Sequence, residues 1–412
     1  MATANLSSFD SLLKIEYQKY VHLQFEDKNR LYNLLEKETE FRKVGQKAFF
    51  ALETTRHFGH GARAEDTDLP TAGKAGYGDF QVTLRNNYAR CRWTGQVLRA
   101  AKGDRRTFKR SFKSEINSAM RGLKKDCNKQ WNGDGSQILT KLSGSGHTSS
   151  TVFSVSHTRN LEAGMVIDII IASSGTDTHG TTSATIDSIS GTDVTITGAT
   201  LSDYTSLDAT YAVYVAGNRN IGMMGIDGIV DNRDPGDIQT SGYGSFLLAV
   251  ASNAFWKATR DTTGGDISTD LIRGLTDAVD IAAPAEVDEG DHCFFSRHGQ
   301  FRQYGNTVIQ DRRYVGKGGN ATKFEGGYQT LMVEGREWGY DKNCLTGQLF
   351  LLHKPSLKIM QETPPTWVDL DGHILSRVAD RDAVEAYLVF EAELITKCRA
   401  NHGKLTGLNE PS

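Results

Sequence analysis

Cysteine is scarce and scattered in this sequence. Cys91, Cys127, Cys293, Cys344 and Cys398 lie far apart, are odd in number and include no Cys-x-x-Cys pair. That excludes a disulfide framework or a zinc site as the organising device and fits assembly in a reducing compartment. No run of about 18 apolar residues is present, so no helical membrane span is expected. The first ten residues lack the basic-then-apolar order of a secretory leader. Net charge is only -3, so the whole molecule is not built to hold a polyanion, and charge has to be followed locally. Proline is also rare, with 7 residues against 42 glycines, a balance that favours turns and β connections.

Catalytic constellations are missing too. His57 and His60 have a spacing that can ligate metal, but no third ligand is near, so they read as loop histidines. Asp369 and Asp371 read as a polar turn. Residues Gly316, Lys317, Gly318 and Gly319 lack the frame of a phosphate-binding loop. Ser296 and His298 are neighbours without a nucleophile elbow. The aspartates of residues 168–208 match no calcium-loop pattern. No catalytic, cofactor-binding or metal residue is assigned, and the chain is not read as an enzyme.

What is present suits a packed, mixed chain. The apolar fraction is 38% and the charged fraction 24%, which excludes global disorder. A length of 412 residues predicts two to three domains with a sizeable core. Residues 11–41 read as one amphipathic helix or two short ones, through Leu13, Tyr17, Tyr20 and Val21 and then Leu31, Leu34 and Leu35. They suit either a surface helix or an arm on a neighbouring subunit. Residues 56–98 read as two extended arms around a polar tip, Pro70 to Gly78, which includes Gly73, Lys74, Gly76 and Tyr77. Phe80, Val82 and Leu84 then alternate with polar residues as a strand. Such a hairpin has little core of its own and must lean on something else.

The stretch from Asp104 to Trp131 predicts one long helix. Phe108, Phe112, Ile116, Ala119, Met120, Leu123, Cys127 and Trp131 recur at steps of three and four. At 1.5 Å per residue it would span roughly 40 Å. Asp104, Glu115 and Asp126 share one edge. Arg106, Arg110, Lys113, Arg121, Lys124 and Lys125 cover the opposite flank, while Lys109 falls in the apolar stripe and would snorkel. That flank is a solvated face, a contact for nucleic-acid phosphates, or a partner for an acidic edge on another subunit.

Composition changes over residues 147–216. Lysine is absent, Arg159 is the one arginine, and Thr, Ser, Gly and Asp dominate. Short alternating runs at 151–155, 165–172, 184–189, 193–196 and 211–215 predict a small all-β domain, a sandwich or a barrel. Its composition marks it as an insertion. Beyond residue 217 the reading is mixed. Ser245 to Ala258 and Leu271 to Ala282 read as helices, the second capped by Ser268 or Thr269. His292 to Ser296 reads as a short buried strand. Leu331 to Glu334, Gln348 to Leu352 and Leu357 to Gln361 read as strands of one sheet, and Val384 to Cys398 as the last strand.

Arm, hairpin, long helix, mixed α/β part and returning strands, in this order, resemble the major capsid proteins of tailed bacteriophages, with the Hong Kong 97-type fold shared with encapsulins. The carriers are residues 56–98, residues 104–131, residues 222–230 and the run 335–361. The resemblance implies an α+β architecture. It would comprise an N-terminal arm (1–55), an extended loop hairpin (56–100) and a peripheral domain with a spine helix (101–146). An inserted β domain (147–216), an axial domain (217–330) and returning axial and peripheral strands (331–412) would follow.

The implied function is structural: self-assembly into hexamers and pentamers of an icosahedral head around double-stranded DNA. The loop tip, Pro70, Gly73, Lys74, Gly76, Tyr77 and Gly78, would lie over a neighbouring subunit. The basic flank of the helix would face packaged DNA or scaffold. No cofactor is implied. Expected partners are further copies, a separate scaffolding protein, a portal and a decoration protein. The expected location is the virion, after assembly in the host cytoplasm. The rival readings are an encapsulin-like shell, and a phage tail protein or adhesin with residues 147–216 as a glycan-binding module.

Overall fold

A computed structural model describes residues 30–96, 105–144, 147, 149–175, 179–234, 243–284, 286–288, 290–311, 331–369 and 374–410. The expected helix through Leu13, Tyr17, Tyr20 and Val21 lies outside these residues, as do Asp104, Gly316 to Gly319 and Asp371. The chain divides into two compact units. One gathers residues up to Asn132, Met223–Arg233 and the chain from Ser241 onward, and the other centres on Gly133–Gly222.

The first unit begins with α1 (Arg30–Leu34), β1 (Glu36–Glu38), β2 (Arg42–Val44), β3 (Lys47–Thr55), β4 (Gly76–Thr83), β5 (Arg85–Thr94) and α2 (Arg105–Asn132). The helix expected to run on toward residue 41 ends at Leu34. The polar run Glu36–Glu38 instead pairs in parallel with residues 358–360. In the described part of α2, Ile116, Met120, Leu123, Cys127 and Trp131 are all buried, one stripe at helical spacing. Burial of each such side chain stabilises by about 1.5–3 kcal/mol. Trp131 stacks on Tyr32 at 5.0 Å and meets the edge of Phe390 at 5.9 Å, so α1, α2 and the sheet close on one another there. Trp131→Ala would cost about 3–5 kcal/mol.

The second unit contains β6 (Thr140–Lys141), β7 (Val152–Ser154), β8 (Val166–Ile171), β9 (Thr181–Ser190), β10 (Asp193–Thr197) and β11 (Tyr211–Val215). The order is β6-β11-β8-β9-β10-β7, antiparallel throughout. The two ends of this series meet. Leu142 bridges Val155, Ser143 N donates to Ser154 O at 2.9 Å, and Ser156 N donates to Lys141 O at 2.9 Å. Among the described residues the first and last strands of the series thus pair and close it into a barrel. Ile167 and Ile169 point inward with Phe153, Ile186, Val194, Ile196 and Val213. Between them Asp168 faces out and accepts Ser183 N and Gly217 N, both at 2.8 Å.

The first unit resumes with α3 (Ile226–Ile229), β12 (Thr259–Asp261), α4 (Thr269–Ala282), β13 (His292–Ser296), α5 (His298–Asp311), β14 (Leu331–Val333), β15 (Arg336–Tyr340), β16 (Gln348–His353), β17 (Leu357–Trp367), β18 (Ser376–Arg377), β19 (Ala383–Thr396) and β20 (Gly403–Thr406). One sheet runs β12-β20-β16-β13-β15-β14, and another runs β1-β17-β19, with β5 and β18 also paired to β19. Residues 331–334, 348–352 and 357–361 are thus not in one sheet, because β17 leaves with β19. The last strand is β20, not the long β19. Each residue of β13 is buried, on both faces, because the strand is paired on both edges and covered on either side. Ser268 caps α4, accepting Leu271 N at 3.3 Å, and Leu275 and Val279 press onto Phe294, Leu349 and Leu405. Ser245 to Ala258 is not a long helix but a turn followed by one short 3-10 segment, Ala251–Trp256. Its apolar residues feed an aromatic cluster and line no helical face.

Candidate assembly surface

The hairpin differs from its expected outline. Its first arm is β3, before residue 56, and β3 pairs with β4 in register Phe50 to Phe80. The connection of residues 56–75 has no helix or strand. Gly76, Tyr77 and Gly78, expected in the tip, stand in β4. The alternation of Phe80, Val82 and Leu84 is legible. The opposing arm, Lys47 to Thr55, is not: Gly45 marks the turn before it, but its alternation is broken by the adjacent Phe49 and Phe50.

The root of the hairpin has a core after all. Phe80 is fully buried, packed on Phe50 at 4.3 Å, Tyr243 at 5.4 Å and Trp256 at 5.5 Å. Gln81 N donates to Gly244 O, so the same turn holds backbone and ring. The free end has none. Phe58 is 73% exposed, Leu69 85% and Tyr77 73%. Pro70 is half-buried and Lys74 exposed. Gly73 lies against the backbone of Phe58 and Gly59, where an added Cβ would come within 2.6 Å of Gly59 N. Gly76 N donates to Thr55 Oγ1 at 2.9 Å. Arg63 Nε donates to Asp68 O at 2.9 Å and Thr67 Oγ1 to Ala64 O at 2.8 Å, which fold the tip on itself. The connection thus offers Phe58 and Leu69 to water on a framework of polar local bonds, and the start of β4 adds Tyr77.

The basic flank of α2 is described only in part. Arg106, Arg110 and Lys113 belong to the helix, but their side chains lie outside the described set. Arg121 is exposed and donates to Asn117 O at 3.2 Å, Lys125 is exposed and Lys124 is half-buried. The acidic edge is not simply open to a neighbour. Asp126 pairs with Lys129 at 3.0 Å and accepts Gln130 Nε2 at 2.8 Å.

The remaining chemistry is quiet. Among the described residues no group of three His, Cys, Asp or Glu is arranged to hold a metal ion. His57 Nδ1 accepts Gly59 N, and the His57 carbonyl meets His60 Nδ1, so both rings serve their loop. Ser296 Oγ is buried, accepts Trp338 Nε1 at 2.8 Å and donates to Arg297 O, so both its bonds are structural. Burial, and then Glu115, push the Cys91 thiol up to about 11. Burial pushes Cys293 up to about 12. Thiols so placed are poor nucleophiles. Among the described residues no helix is long and apolar enough to cross a membrane.

No protein-family model matches the sequence, and no curated protein matches it. Solved structures do. A chain of the cyanophage A-1(L) capsid asymmetric unit superposes with a TM-score of 0.52 at 11% identity, over 92% of this chain and 93% of that one. A chain from the capsid of a native GTA particle gives 0.45 at 9% identity, over 92% and 90%. A virus-like particle from Pyrococcus furiosus gives 0.37 at 9% identity, over 95% and 100%. The last two values lie below the level from which a shared topology follows. The first establishes the fold: a mixed α and β architecture, mostly strands, of the kind found in a phage capsid.

Proposed function

We propose that this chain is the major capsid protein of a tailed bacteriophage, built on the Hong Kong 97-type fold. It would assemble through hexamers and pentamers into an icosahedral head around double-stranded DNA. The observation that carries the reading is the fold shared with a cyanophage capsid chain over more than nine-tenths of both chains. On this reading α2 is the spine helix, with the sheet of β17 and β19 beside it as the peripheral domain. The six-stranded sheet around β13 belongs to the axial domain. The barrel is an insertion. The hairpin of β3 and β4, with its connection, is the extended loop. Its partner is a second copy, because Phe58, Leu69 and Tyr77 are large, apolar and exposed. Basic residues of α2 would meet DNA or a scaffold without reading sequence. The reading brings a separate scaffolding protein, a portal and a decoration protein as partners, and the virion as location after assembly in the host cytoplasm.

The test is to express the full chain, alone and with neighbouring phage genes, and to size and image the product. Closed shells or regular rings of five and six are expected. A monomer or small trimer under both conditions would overturn the reading. Shells that load protein and exclude nucleic acid in the presence of the phage genes would point to an encapsulin-like shell. In the triple variant Phe58→Ser, Leu69→Ser and Tyr77→Ser, the monomer should keep its melting temperature within about 2 °C, since exposed substitutions cost little. Particle yield should fall at least tenfold. Normal yield from that variant would remove the loop from the assembly mechanism.

A further inference from the structure

Three histidines meet inside the first unit, where its two large sheets join. The rings of His292, on β13, and His353, at the end of β16, lie 4.7 Å apart. His402, just before β20, reaches across to the other sheet. His292 and His402 are fully buried. The hydrogen bonds around His402 have a fixed direction. The His353 backbone N–H donates to His402 Nδ1 at 3.1 Å, so Nδ1 carries no proton. The proton is then on Nε2, which donates to Thr396 Oγ1 of β19 at 2.9 Å, with Ser356 Oγ also near at 3.3 Å. Thr396 Oγ1 passes its own proton on to Cys398 O at 3.1 Å. A second proton on His402 would place N–H against N–H and break the link between β16 and β19. Neither ring nitrogen of His292 makes a hydrogen bond of good geometry among the described residues, so a charge there would be poorly satisfied, with only the Asn401 backbone and Asp291 to favour it.

We propose that His292, His353 and His402 form an acid-sensitive joint between the two sheets: neutral rings lock them together, and protonation unlocks them. The joint belongs to the subunit's own fold and does not rest on the capsid reading. Burial is the main reason each ring resists a proton, and His292 is brought down to about 4. The charged groups that reach the cluster work in both directions. The rings oppose one another, His353 acting on His292 and both acting on His402, and then Arg336 from β15 opposes protonation of His292 and Arg399 from the turn after β19 opposes it at His402. Asp291 favours it at His292, and Asp288 and Asp291 favour it at His353. A free imidazole takes up its proton near pH 6.5. The three folded-state values are lowered, so the joint is at full strength above about pH 6.5 and weakens as pH falls toward about 4. Each ring contributes up to about tenfold in the opening constant per pH unit.

The test follows backbone hydrogen exchange of the full chain between pH 7 and 4.5, corrected for intrinsic rates. Protection of the His353 amide should fall by at least thirtyfold, while amides of Ile167 to Ile171 in the barrel keep theirs. His292→Phe retains a ring and removes a titrating group. It should lower the slope of log opening constant against pH by about one. An unchanged His353 protection in the wild-type chain would overturn the proposal without any variant. A variant slope equal to wild type would remove His292 from it.

Discussion

Arg399 offers a quantitative test of how the first unit is held. Its side chain is fully buried. Nε donates to Ile229 O at 2.7 Å, and Nη2 lies within reach of Gly228 O at 3.3 Å, Asp231 O at 2.9 Å and Arg233 O at 3.2 Å. Gly228 and Ile229 end the single turn of α3, where a helix leaves acceptors without internal donors, and Asp231 and Arg233 follow it. Arg399→Met keeps the apolar stem and removes every donor. Water can replace the guanidinium at Asp231 and Arg233, which are not buried, but not at Gly228 and Ile229, which are. Two dry carbonyls at about 1–3 kcal/mol each give a loss of about 4 kcal/mol. With a urea slope of about 3 kcal/mol/M for a unit of this size, the midpoint falls by about 1.3 M. Tryptophan fluorescence isolates the right transition, because Trp93, Trp131, Trp256, Trp338 and Trp367 are the only tryptophans and all belong to the first unit. Arg399→Lys should fall between, since one ammonium satisfies fewer carbonyls in this fork. A midpoint for Arg399→Met within about 0.3 M of wild type would refute the reasoning.

Two further predictions concern the same unit. Gly244 has φ +68, and an added Cβ would lie 1.9 Å from a ring carbon of Phe80. Gly244→Ala should therefore cost about 3 kcal/mol. Gly265→Ala, at φ +90 with open space around it, should cost only about 1 kcal/mol in the same urea assay. Burial raises the carboxyl of Glu393 to about 8. A folded value above the unfolded one means stability is greatest below about pH 4.5 and declines as pH rises toward 8. Glu393→Gln, which can still accept the Met224 N–H, should flatten that decline. An identical pH profile would show that the carboxyl does not carry it.

The legible parts of the fold are those whose burial repeats on a single period. Ile116, Met120, Leu123, Cys127 and Trp131 announce α2, and Ile167 and Ile169 around Asp168 announce a barrel strand. Elements defined by their partners were missed. Nothing in Glu36–Glu38 says strand until Lys358 and its neighbours lie beside it. Thr140–Lys141 is too short to show alternation, yet it stands where the barrel closes. Along α5, Phe301 and Tyr304 meet Trp338, but Gly299, Gly305 and several polar residues dilute the stripe. The apolar run at 245–258 reads as a helix because hydrophobicity alone does not say whether residues face one side or crowd around one ring. At the loop, the expected tip contains only one of the large exposed side chains, Tyr77, whereas Phe58 and Leu69 lie in the part that reads as an arm. Their signal is exposure, which one sequence does not display.

The barrel has one more property. The chain leaves the first unit after Asn132 and returns at Met223, and Met223 N donates to Gln130 Oε1 at 2.9 Å. On the barrel side, Asn220 N donates to Ser136 O at 3.2 Å. Departure and return are thus neighbours, and the barrel satisfies its own strands without borrowing from its host. Such a part is a cassette. Exchange or removal of residues 133–222 is therefore expected to leave Asn132 and Met223 as the ends to be rejoined.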